Sequence, residues 1–134
     1  MGDPAIGDTF HNVRDFRGLR VWPKAHRLAL DVHLVMDAAP SRRYVGLRSQ
    51  TLRAAASIPA NIAEGCGKSS HADLARFAEI AIASTTELDN HLLFARDAGV
   101  IDPERYSELE PLVAEVRRML CAFVRAVRSR TTPH

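Results

Sequence analysis

The sequence predicts an all-α fold, an up-down-up-down antiparallel four-helix bundle. Three observations lead there. Apolar residues step by three and four along most of the chain, averaging about 3.5, the seam of a left-handed bundle. No run alternates Val, Ile or Thr with polar residues as a half-buried strand would. The Pro, Gly, Ser and Asp residues fall between the stepped stretches, where helices start and stop.

Each element follows in order. Val21, Ala25, Leu28, Val32 and Val35 give a first helix near residues 19–38, closed by Pro40. A second is predicted near 43–66, with Leu47, Thr51, Ala55, Ile58, Ile62 and Cys66 turned to the core. Ser70, followed three residues later by Asp73, forms a capping pair opening a third helix near 70–98. Gly99 with Val100 and Ile101 reads as its stop and apolar latch. Asp102-Pro103-Glu104 supplies an N-cap, a proline at the first helical position and an acid in the first turn. A fourth helix then runs near 103–129 on Tyr106, Leu109, Val113, Val116, Leu120, Phe123 and Val127. Short connections make neighbouring helices antiparallel. The bundle occupies residues 14–130, with loose tails at 1–13 and 131–134.

Length and composition fit one such domain. The 134 residues suffice for a single core, and 46% apolar with 25% charged residues excludes wholesale disorder. No stretch reaches the roughly 20 apolar residues of a membrane span. The start, Met1-Gly2-Asp3-Pro4-Ala5, has neither the basic nor the apolar region of a secretory signal. Cys66 and Cys121 are too few for a disulfide framework or a four-ligand zinc site. The expectation is a cytoplasmic protein.

A net charge of +2 hides strong segregation. Residues 42–68 are net +4, residues 69–111 net −6, and residues 112–134 net +4. Two readings stand. The segments attract one another within the fold or between copies, or the basic ones face phosphate backbones. The candidate contacts are Arg42, Arg43, Arg48, Arg53 and Lys68, then Arg117, Arg118, Arg125 and Arg128. No aromatic residues interleave with them, which argues against readout by base stacking.

The second helix carries more than one face. Gly46, Gln50, Arg53, Ser57, Asn61, Glu64 and Lys68 form a polar stripe, and Leu52, Ala56 and Ala63 a separate apolar strip. Its alanines admit the close approach of another backbone. Gln50, Ser57, Asn61 and Glu64 are the candidate subunit contacts, with a solvated edge as the alternative. Pro59 withholds a hydrogen bond from Ala55, so a kink or break is expected near residues 55–59.

The run Arg53-Ala-Ala-Ala-Ser-Ile-Pro-Ala-Asn-Ile-Ala-Glu-Gly-Cys-Gly-Lys68 resembles the signature of the four-helix-bundle family known from 23S rRNA intervening sequences. Val21-Trp22-Pro23-Lys24-Ala25, Tyr44-Val45-Gly46-Leu47-Arg48-Ser49-Gln50, Arg76-Phe77 and Glu87-Leu88 through Ala98-Gly99-Val100-Ile101 extend the likeness in order. The resemblance implies a four-helix protomer assembling into a ring, typically a homopentamer. It also implies kinship with the accessory variability protein of diversity-generating retroelements, a basic pentameric barrel that binds a reverse transcriptase and nucleic acid. The expected partners are thus further copies of the chain, RNA, DNA or an RNA–DNA hybrid, and a reverse transcriptase.

None of His26, His33, His71 or His91 stands three residues after a Glu, the spacing a di-iron bundle needs. Glu87 and His91 are four apart and read as a surface contact. There is no nucleophile elbow, Walker loop or dinucleotide fingerprint. Gly65-Cys66-Gly67-Lys68 reads as a helix terminator, both thiols as buried, and Trp22 as a core or interface anchor. The expectation is a non-enzymatic, homo-oligomeric scaffold without metal or cofactor that binds nucleic acid or a nucleic-acid enzyme. The alternative is a structural or protein-interaction module without nucleic-acid binding.

Overall fold

A computed structural model describes residues 15–39 and 44–131, and all regular structure among them is helical. A 3-10 turn, Phe16–Gly18, precedes α1 (Val21–Asp37), α2 (Val45–Cys66), α3 (His71–Asp97) and α4 (Pro103–Thr131). Each helix lies within two residues of its predicted bounds. The expectations for residues 1–13, for Pro40 and for residues 132–134 fall outside the described residues. Thr131, assigned to the loose terminus, is the last residue of α4.

Local chemistry sets the ends. The Asp15 carboxylate accepts from the Arg17 N–H at 3.1 Å, so the chain enters through the 3-10 turn and α1 starts at Val21. Ser70 Oγ accepts from the Asp73 N–H at 3.1 Å, capping α3. At the far end Gly99 takes φ +77°. There Val100 N–H donates to Ala95 O at 2.8 Å and Gly99 N–H to Arg96 O at 3.1 Å, a Schellman closure. Val100 and Ile101 are then buried as the latch.

The interruption near residues 55–59 is not a break: α2 is helical throughout, with buried Pro59 inside it. The run Gly65-Cys66-Gly67-Lys68 ends α2 as expected, and Gly65 within it is also a contact point with α3. A Cβ there would lie 3.0 Å from Phe77 Cβ and 3.2 Å from the Leu74 carbonyl oxygen. The helix ends after it, with Gly67 as C-cap in ordinary right-handed geometry.

The core is the inner seam of all four helices, including Leu28, Ile58, Leu88, Leu92, Leu120 and Val127, each almost fully buried. Two buried threonines are satisfied locally. Thr51 donates to Leu47 O at 2.7 Å and Thr85 to Ile82 O at 2.6 Å. Around the bundle, α2 packs on α1 and α3, while α4 packs on α3 and α1. The two basic helices, α2 and α4, therefore occupy diagonal corners, with acidic α3 between them on one side.

Candidate nucleic-acid and partner interface

The candidate cations divide into three groups. Arg42 and Arg43 lie outside the described residues. Arg48, Lys68 and Arg128 are engaged within the protomer. Arg48 pairs with Asp37 of α1 and Arg128 with Glu79 of α3. Lys68 sits 5.1 Å from the centre of the Phe77 ring, which Arg76 also covers at 4.6 Å. Arg53, Arg117, Arg118 and Arg125 are exposed and have no ion-pair partner among the described residues.

Position along each helix explains this division. Arg118 and Arg125 are seven residues apart on α4, two turns along its outward side, opposite the Val116–Leu120–Phe123 seam. Arg128 lies toward α3 and reaches Glu79. Glu115, on the other flank, meets Lys24 of α1 at 3.2 Å. Arg53, one turn before Ser57 on α2, is exposed. Within one protomer the free arginines thus form two separate basic edges on diagonal helices, not one patch.

The four candidate interface residues also separate. Gln50 and Glu64 are exposed, whereas Ser57 and Asn61 are half-buried. Ser57 donates to Ser84 Oγ at 2.6 Å, and Ser84 donates in turn to Ile80 O at 3.1 Å. The Asn61 amide donates to Ser57 O at 2.8 Å. Ser57 thereby ties α2 to α3 within the protomer.

The apolar strip of α2 forms one wall of an open groove of about 580 Å³. Leu52, Ala56, Pro59 and Ala63 line that side, while Trp22, His26, Leu30 and His33 of α1 line the other. Half-buried Trp22 stacks on the His26 imidazole, with ring centres 4.7 Å apart. His33 lies 3.0 Å from Asp37. The α1 wall was not anticipated from the sequence, though its 22-26-29-33 spacing repeats the 52-56-59-63 spacing of α2.

The remaining chemistry is that of a packed bundle. Burial, with a smaller contribution from Asp15, pushes the Cys66 thiol up to about 11. Cys121 is half-buried rather than buried. His91 meets Glu87 at 3.5 Å, the surface contact expected of that spacing. Tyr106 donates to Asp89 at 3.1 Å. Among the described residues no three His, Cys, Asp or Glu side chains converge as a metal site. Nor is any helix among them long and apolar enough to cross a membrane.

Comparison with curated protein sequences returns no match. A family model, by contrast, covers residues 17–122, from the 3-10 turn into the second half of α4. With that match spanning most of the chain and all four helices, the protein belongs to the 23S rRNA-intervening sequence protein family.

Proposed function

We propose that the protein is a non-enzymatic, cytoplasmic scaffold, a homo-oligomeric ring of five copies, that binds nucleic acid through outward arginines. The observation that carries this reading is the state of Arg53, Arg117, Arg118 and Arg125, all exposed and without ion-pair partners among the described residues. Guanidinium groups left free on rigid helices are suited to phosphate oxygens. Assembly would repeat both basic edges around the axis, turning two short edges per protomer into continuous belts. RNA, DNA or their hybrid is the ligand class, and a reverse transcriptase is the kind of protein such a scaffold would serve.

The test is anisotropy titration of labelled RNA, DNA and hybrid duplexes against the assembled protein at several salt concentrations. Affinity falling steeply with salt, with little dependence on sequence, is the expected outcome. No salt-sensitive binding to any of the three at low ionic strength would overturn the reading.

One observation favours a second reading, a structural or protein-interaction module without nucleic-acid binding. Arg48 and Arg128 are already committed to Asp37 and Glu79, so part of the basic charge serves the fold. Charge reversal separates the two. If Arg53→Glu or Arg125→Glu dissociates the assembly, and wild-type protein ignores nucleic acid, the second reading holds.

A further inference from the structure

Charge on α4 divides along its length. From Pro103 to Glu115 it holds four glutamates and Arg105. Beyond Glu115 it holds Arg117, Arg118, Arg125, Arg128 and Arg130 and no carboxylate. Lys24 of α1 meets Glu115 at 3.2 and 3.3 Å, so the two antiparallel helices are level at that pair. The basic half of α4 therefore lies beside the start of α1, which is itself rich in cations.

Arg27 is the α1 residue best placed to join it. With Leu112 it lines a cleft of about 260 Å³ between the two helices. Its side chain is 77% exposed, and its Nε stands 3.5 Å from Asp31, longer than a good hydrogen bond. The guanidinium fork is thus open to an outside acceptor. Arg118 and Arg125 project from the outward side of α4 further along the same seam. From the level of Arg27 to Arg125 the strip runs about 20 Å, with helix axes about 8–10 Å apart. Five cations border it, Arg20, Lys24, Arg27, Arg118 and Arg125, against two carboxylates, Asp31 and Glu115, so positive charge is in excess.

The seam has no platform for bases. Pro23, Leu28, Leu112 and Val116 floor the cleft, none of them aromatic, and Trp22 turns instead to the α2 side of α1. Single strands are held largely by stacking on aromatic rings, and here they would find none. A duplex carries one phosphate charge per roughly 1.7 Å of axis, a single strand one per roughly 3.4 Å. Over about 20 Å that is about twelve charges against about six, and cations on two parallel rows can address both strands.

From this arrangement we infer that the α1–α4 strip grips the backbone of a double-stranded nucleic acid, with Arg27 joining Arg118 and Arg125 as a phosphate contact. The inference rests on the nucleic-acid reading proposed above and adds to it the strandedness of the ligand and a contact from α1. The glutamates in the first half of α4 keep the duplex to the other half of the bundle.

The test is anisotropy titration of a short labelled duplex, and of one of its strands alone, against the full chain at several salt concentrations. Circular dichroism checks that each variant is helical. Wild type is expected to bind the duplex at least about tenfold more tightly than the single strand at low salt. Arg27→Ala should remove about one unit from the slope of log affinity against log salt, as Arg118→Ala does, and Arg27→Lys should restore it. Arg105→Ala, in the acidic half of α4, should leave the slope unchanged. Arg27→Gln serves if the alanine variant fails to fold.

An unchanged slope for Arg27→Ala beside a reduced one for Arg118→Ala would overturn the inference and leave the nucleic-acid reading standing. So would a single strand bound as tightly as the duplex. Polyglutamate displacing the duplex as readily as unlabelled duplex does would also overturn it, assigning the strip to an acidic protein. Wild type without salt-sensitive binding to either probe would end both readings.

Discussion

Gly65 meets Phe77 where the end of α2 crosses the start of α3, so that a methyl group there would lie only 3.0 Å from the Phe77 Cβ. A Cβ at this position would also come 3.3 Å from Leu74 Cδ1, so it is hemmed by backbone and side chains of the same turn of α3. Removing a helical glycine stabilises by roughly 1 kcal/mol, whereas overpacking a tight contact costs about 1–3 kcal/mol. The second effect wins because the nearest neighbours are a Cβ and a carbonyl oxygen, which cannot rotate away. Gly65→Ala is therefore expected to destabilise the fold by about 1–2 kcal/mol, read as a lower urea midpoint at constant slope.

Gly46, near the start of the same helix, predicts the opposite sign. It is exposed, and a Cβ there would meet nothing within 4 Å. Gly46→Ala should raise stability by about 0.5–1 kcal/mol by restricting the unfolded chain. The same urea titration checks it, and a lowered midpoint would show that the space is needed by something outside the protomer.

These two glycines mark what the sequence made legible. The helices were readable because periodicity and caps are local, as the Ser70 cap and the Gly99–Val100 closure demonstrate. Gly65 was read by its neighbours in the chain, and its reason, Phe77, lies in the next helix. Charge shows the same limit, since the tally left open whether the segments pair within the fold or face a partner. Arg128 counted toward a basic segment, but it meets Glu79, 49 residues earlier. A linear tally also could not reveal that α2 and α4 stand on a diagonal, which follows from how α1 and α3 pack. The groove needed the pairing of two seams from different helices, although each seam's spacing was present in the sequence.

Cys66 gives the fold a pH dependence of definite sign. Its thiol ordinarily ionises near 9.0, and burial, assisted by Asp15, raises this to about 11 in the folded protein. Below pH 9 the thiol is neutral in both states and its contribution is fully present. Between 9 and 11 the unfolded chain ionises while the folded one holds its proton, so stability falls as pH rises. The loss attributable to this residue is on the order of 2 kcal/mol. Tyr106, raised by burial and by its hydrogen bond to Asp89, adds loss of the same sign above its ordinary value. Denaturant titrations from pH 8 to 11 should show a shallower decline for Cys66→Ala than for wild type. In native protein, a thiol reagent should modify half-buried Cys121 well before Cys66.

The free and the committed arginines of α4 make the nucleic-acid reading quantitative. Arg118 and Arg125 are available to phosphates, so each alanine substitution should remove about one unit from the slope of log affinity against log salt. Arg128 is already held by Glu79, and withdrawing it from that carboxylate offsets what a phosphate would return. Arg128→Ala should therefore leave the slope nearly unchanged. Glu79→Gln should do the reverse, removing a carboxylate that holds Arg128 and steepening the dependence. Anisotropy titrations of one duplex with these four variants test the ordering. Equal effects at Arg118, Arg125 and Arg128 would mean that net charge, not the placement of free guanidinium groups on the outer side of α4, governs binding.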